Sequence, residues 1–74
     1  MKVILDGDFY TYSAIENMAN QFSEYITVEV SHAEGIVLQM NVHDAYKLQR
    51  NVIINTFLNN VLELSIQEHL EDER

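Results

Sequence analysis

The sequence predicts an α+β domain in the order strand, helix, strand, strand, helix: a three-stranded sheet with both helices packed on one face and a long C-terminal helix. Three observations carry this. Clear alternation of apolar and polar residues flanks Gly35, helical periodicity fills residues 15–25, and a long apolar-rich run follows Asp44. The chain has no proline and two glycines, so each glycine is informative punctuation.

The first strand is short, Val3-Ile4-Leu5, and ends at the turn residues Asp6-Gly7. Ile15, Met18, Ala19, Phe22 and Tyr25 then recur at helical spacing and form one apolar face. Ser13 and Glu16 have the spacing of a capping box; Thr11 is the rival cap, with Tyr10 and Ile15 as its hydrophobic staple. Either start places the helix from residues 12–14 to about Ser23 or Glu24. Ile26, Val28 and Val30 alternate with Thr27, Glu29 and Ser31; Ile36, Leu38, Met40 and Val42 alternate with Val37, Gln39, Asn41 and His43. Period 2 on both sides of Gly35 predicts a β-hairpin with one wet face, closed by a four- or five-residue loop with Gly35 at positive φ.

Asp44 is the candidate cap of the second helix. Its apolar residues, from Leu48 through Phe57 to Ile66, cover a very wide arc, and one polar strip interrupts them: Asn55, Thr56, Asn59, Asn60 and Glu63. A small sheet and one short helix cover only part of such an arc. The remainder is predicted to be an interaction surface, and pairing of two copies through this helix is the expected use. Residues 70–74 are expected to form a solvated, fraying acidic tail of a single domain spanning 1–74.

Twelve acidic residues oppose four basic ones, for a formal charge of −8. Such a surface repels phosphate backbones and anionic lipid, which excludes direct binding to nucleic acid. Its natural complement is a basic partner, although acidity also serves plain solubility. No signal-peptide core and no apolar run of membrane-spanning length can be drawn, so the expected location is the cytoplasm.

Without cysteine there are no disulfides, thiol nucleophiles or thiolate metal sites. His32, His43 and His69 are scattered and lack ligand spacing, so they read as solvated side chains. Asp6-Gly7-Asp8 lacks the twelve-residue frame of a calcium loop. The serines have no base in recognisable context, and no glycine-rich phosphate loop is present. The sequence therefore predicts no catalytic, metal or cofactor site, and the chain reads as a non-enzyme. Its candidate partner-binding residues are Asn55, Phe57, Asn59, Asn60 and Glu63 on the second helix, with Tyr10 and Tyr12 as an aromatic rim.

Leu5-Asp6, Tyr12-Ser13-Ala14-Ile15, Ala19, Phe22, the hairpin strands Ile26–Val30 and Ile36–Leu38, and Phe57-Leu58-Asn59-Asn60-Val61-Leu62-Glu63 give nearly the whole chain a resemblance. It resembles the small HxsD-type proteins of the His-Xaa-Ser repeat systems. Asn60 stands where that family usually has Glu, and Gln67 where it tends to have Arg. The resemblance implies an accessory protein that partners a radical-SAM peptide-modifying enzyme or its peptide substrate. The alternative, motivated by charge, is an acidic inhibitor that occupies the basic groove of a nucleic-acid enzyme.

Overall fold

Alternation in the two hairpin strands and helical periodicity on either side of them build the elements in the expected order. The computed structural model describes residues 1–72, with side chains through Leu70. It contains β1 (Lys2–Leu5), α1 (Tyr12–Gln21), β2 (Ile26–Ala33), β3 (Gly35–Val42), a 3-10 segment (Asp44–Gln49) and α2 (Arg50–Asp72). The sheet order is β1-β3-β2, with β3 antiparallel to both neighbours. β1 and β2 therefore run in the same direction, and α1 connects them across the central strand. In register, Leu5 lies opposite Ile36 and Val3 opposite Leu38, while Val28 faces Met40 and Ile26 faces Val42.

Because side chains alternate across a strand, Ile36, Leu38 and Met40 all point to one face, where they are buried with Ala14, Ile15 and Met18 of α1 and Ile54, Phe57 and Val61 of α2. Thr27, Glu29, Gln39 and Asn41 lie exposed on the other face. The Phe22 ring meets Phe57 edge-on, with centroids 5.5 Å apart, and ties the end of α1 to the middle of α2. At about 1.5 Å per residue, α2 alone is roughly 35 Å long. It sets the long axis of a molecule measuring 43 × 23 × 17 Å.

Local chemistry moves several predicted boundaries. Thr11, not Ser13, caps α1: its backbone is extended (φ −108°, ψ 149°) and its hydroxyl accepts the Ala14 amide at 3.1 Å. The helix stops at Gln21, sooner than periodicity suggests, because the amides of Tyr25 and Ile26 both fold back onto the Phe22 carbonyl. Asp44 does not cap the long helix. His43 precedes a 3-10 segment without a side-chain cap, Tyr46 departs from helical geometry (φ −118°, ψ 15°), and α-helix begins only at Arg50.

The hairpin is tighter than expected, since the strands run to Ala33 and resume at Gly35, leaving only Glu34 outside them. Gly35 takes φ 140°, and a Cβ there would stand 3.0 Å from the Leu5 carbonyl oxygen of the neighbouring strand. Glycine is required at this corner both by conformation and by space. Residues 70–72, expected in the fraying tail, continue α2; residues 73 and 74 lie outside the described residues. Among the described residues no helix is long and apolar enough to cross a membrane.

Candidate binding surface

A helix that carries apolar residues around most of its circumference can bury only the side its own domain covers. In α2 the row Ile54, Phe57, Val61 and Ser65 turns inward, and the last three have no exposed surface. The opposite side carries Val52, Asn55, Asn59, Leu62 and Ile66. There Val52 is 66% exposed and Ile66 49%, both asparagines are exposed and Leu62 is half-buried. Leu48, one turn earlier in the 3-10 segment, is 99% exposed.

The predicted partner-binding residues separate accordingly. Asn55 and Asn59 sit together on the outer side, one turn apart. Phe57 is corrected: it belongs to the inward row between Ile54 and Val61, and its ring is core, not contact surface. Half-buried Asn60 and exposed Glu63 line a shallow cleft between the helices with Met18, Leu64 and Gln67. Asn60 and Gln67 thus line one cleft. Tyr10 and Tyr12 are not on this surface. They are half-buried against the core and line a separate cleft at the hairpin tip with Gly7, Thr11, His32 and Ile36. There the Tyr12 ring stacks on His32 at 4.4 Å, and its hydroxyl hydrogen-bonds to the imidazole Nδ1.

Only one of the three histidines is solvent-exposed. His32 is exposed beneath Tyr12, but His43 is half-buried and uses both ring nitrogens. Nδ1 lies 2.9 Å from the Glu24 carbonyl, which can only accept, so this nitrogen carries a proton; Nε2 lies 2.8 Å from the Thr27 hydroxyl. His69 is half-buried with Nε2 shielded from solvent and unpaired among the described residues. No group of three or more His, Asp or Glu side chains converges as a metal site among the described residues.

Sequence reasoning missed a polar joint between the helices. Ser65 Oγ accepts the Thr11 amide at 3.0 Å, and Glu68 accepts the hydroxyls of Thr11 at 2.6 Å and Ser13 at 3.1 Å. α1 has no acidic residue in its own first turn, so the Glu68 carboxylate supplies the negative charge that favours a helix N-terminus. The signal available in the sequence was the serine at position 65, in an otherwise apolar row of α2. At the other end of the fold, Tyr46 donates its hydroxyl to Glu24 at 3.0 Å. That hydrogen bond, with lesser help from desolvation and the nearby Glu24 charge, holds the phenol pKa above its ordinary value.

The fold is that of a small α+β domain whose open features are a helix face, a sheet face and the edges of the outer strands. Comparison with family models, with curated proteins and with solved structures finds no match to this chain.

Proposed function

We propose that this chain is a non-catalytic accessory protein that works by binding, through the outer side of α2 and the open edge of β2. One observation carries the reading: Val52 and Ile66 remain exposed on the side of α2 turned away from the core, with the Asn55–Asn59 amide pair between them. Exposed apolar side chains flanking amides suit a surface that another polypeptide covers. Among the described residues β2 pairs only with β3, so its far edge offers unpaired backbone groups to an extended peptide. The resemblance to HxsD-type proteins directs the choice of partner: a radical-SAM peptide-modifying enzyme or its repeat-containing peptide, in the cytoplasm, with the accessory protein acting as a homodimer.

The test is affinity capture with tagged protein at low and moderate salt, with bound species identified by mass spectrometry. Recovery of a radical-SAM enzyme or a repeat peptide at both salts supports the proposal. Recovery only of a basic nucleic-acid enzyme, and only at low salt, replaces it with the acidic-inhibitor reading. Turnover of a substrate by the purified protein alone overturns both.

A further inference from the structure

The outer side of α2 has a regularity beyond its exposure. Val52, Asn55, Asn59, Leu62 and Ile66 are separated by steps of three and four residues, and Leu48 extends the series by one more step of four. This is the spacing of a coiled-coil seam. It lies away from Ile54, Phe57 and Val61, and the domain's own core leaves Val52, Asn55, Asn59 and Ile66 exposed and Leu62 half-buried. The order along it is apolar, apolar, Asn, Asn, apolar, apolar, and the series is symmetric about position 57.

From this we infer that the seam is covered by a second copy of the chain, with the two α2 helices antiparallel about a two-fold axis passing near position 57. The inference rests on the proposal that the outer side of α2 is a contact surface, and it names the occupant. A two-fold interface must be self-complementary. Here Asn55 of one protomer faces the partner's Asn59, and the reciprocal pair lies on the other side of the axis. Val52 faces the partner's Leu62, and exposed Leu48, in the 3-10 segment that leads into the helix, lies toward the level of the partner's Ile66. Each side-chain amide both donates and accepts, so the central amides satisfy one another while the apolar pairs close the ends.

Charge selects the antiparallel sense. Arg50 opens α2, and Lys47, in the 3-10 segment just before it, is paired with Asp44, whereas Glu63 lies exposed in the second half of the helix and Glu71 and Asp72 follow in sequence. An antiparallel pair brings Glu63 of each helix toward the Arg50 end of the other and opposes the two helix dipoles. A parallel pair would align like charge with like charge in a chain whose net charge is already −8. Asparagines at the centre of a seam cost stability and fix its register. The dimer is therefore a concentration-dependent one of defined orientation.

Cross-linking tests this directly, because the chain has no cysteine of its own. Asn55→Cys and Asn59→Cys proteins, both at exposed positions, are oxidised separately and as a mixture, and intact mass is read over a protein concentration series. The antiparallel pair predicts disulfide-linked dimer predominantly in the mixture, several-fold above either protein alone. Efficient linking of each variant to itself means a parallel seam and overturns the orientation. No linking, together with a monomer mass for the parent at every concentration, overturns the dimer. If capture of the radical-SAM enzyme persists in that last case, the accessory-protein proposal stands and only the self-pairing falls.

Discussion

The two sides of α2 are built from the same kinds of residue and meet opposite fates. Val61 on the inner side has no exposed surface, whereas Val52 on the outer side is 66% exposed. Propensity does not separate them, since both are valines within one helix. What differs is what packs against them: the three strands and the short helix cover one side of the long helix. Exposure on α2 thus follows from which side the sheet and α1 cover, and the outer side stays open in the isolated domain.

The sharpest way to break this comparison is Phe57→Ala. Phe57 is fully buried and packs edge-on against Phe22, so truncation removes apolar contact and leaves a cavity in the core it shares with Leu38 and Met40. Phe→Ala changes in cores cost about 3–5 kcal/mol, against a total stability of roughly 5–15 kcal/mol for natural domains. Urea denaturation followed by circular dichroism should show a chain largely unfolded without denaturant, or with its midpoint strongly lowered. A loss below about 1 kcal/mol would place Phe57 outside the main core.

A smaller loss is expected at the polar joint. Ser65→Ala leaves the Thr11 amide without its acceptor in a part-buried site. An unsatisfied amide of this kind costs about 1–3 kcal/mol. The damage should be local as well, with faster amide exchange in the first turn of α1 than in β3. Uniform acceleration through the whole chain would show that the joint holds the global fold and not the helix start.

Val52→Gln, on the outer side, should leave the stability of the isolated protomer within about 0.5 kcal/mol, as for most surface substitutions. Measured at rising protein concentration, the parent should gain stability relative to this variant, because association stabilises only the folded chain. Equal stabilities at all concentrations would mean that nothing covers Val52 in solution.

Much of this contrast was legible in the sequence, and what was hidden has a common cause. Periodicity gave the order of elements, the wet sheet face of Thr27, Glu29, Gln39 and Asn41, and the excess of apolar residues on α2. It did not give which part of that excess pointed inward. A wheel with apolar residues on nearly every side has no preferred direction until the sheet is placed beneath it, so Phe57 was assigned to the surface. The joint of Thr11, Ser13, Ser65 and Glu68 was invisible for a related reason: its partners are more than fifty residues apart, and local spacing carries no trace of them. The displaced start of α2 is different again. Asp44 is a good cap by type, but His43 is drawn to Glu24 and Thr27 and Tyr46 to Glu24, and these tertiary bonds accompany the 3-10 path that delays the α-helix to Arg50.

That last set of bonds offers the mildest perturbation, one that touches neither side of α2 but the segment leading into it. The phenol of Tyr46 donates to Glu24, and its pKa is raised chiefly by that hydrogen bond. In the folded chain the proton is therefore retained at pH values where the unfolded chain has released it. The contribution to stability is fully present below the ordinary tyrosine value of 10.0 and is lost as pH rises through the higher folded value. In Tyr46→Phe protein the ultraviolet phenolate titration should lack a step lying above that ordinary value. Stability above pH 10 should also fall less steeply than in the parent. A missing step at or below the ordinary value would mean that Glu24 does not hold the phenol in solution, and the 3-10 entry to α2 would then rest on the bonds of His43 and the edge-on packing of Tyr46 against Tyr25.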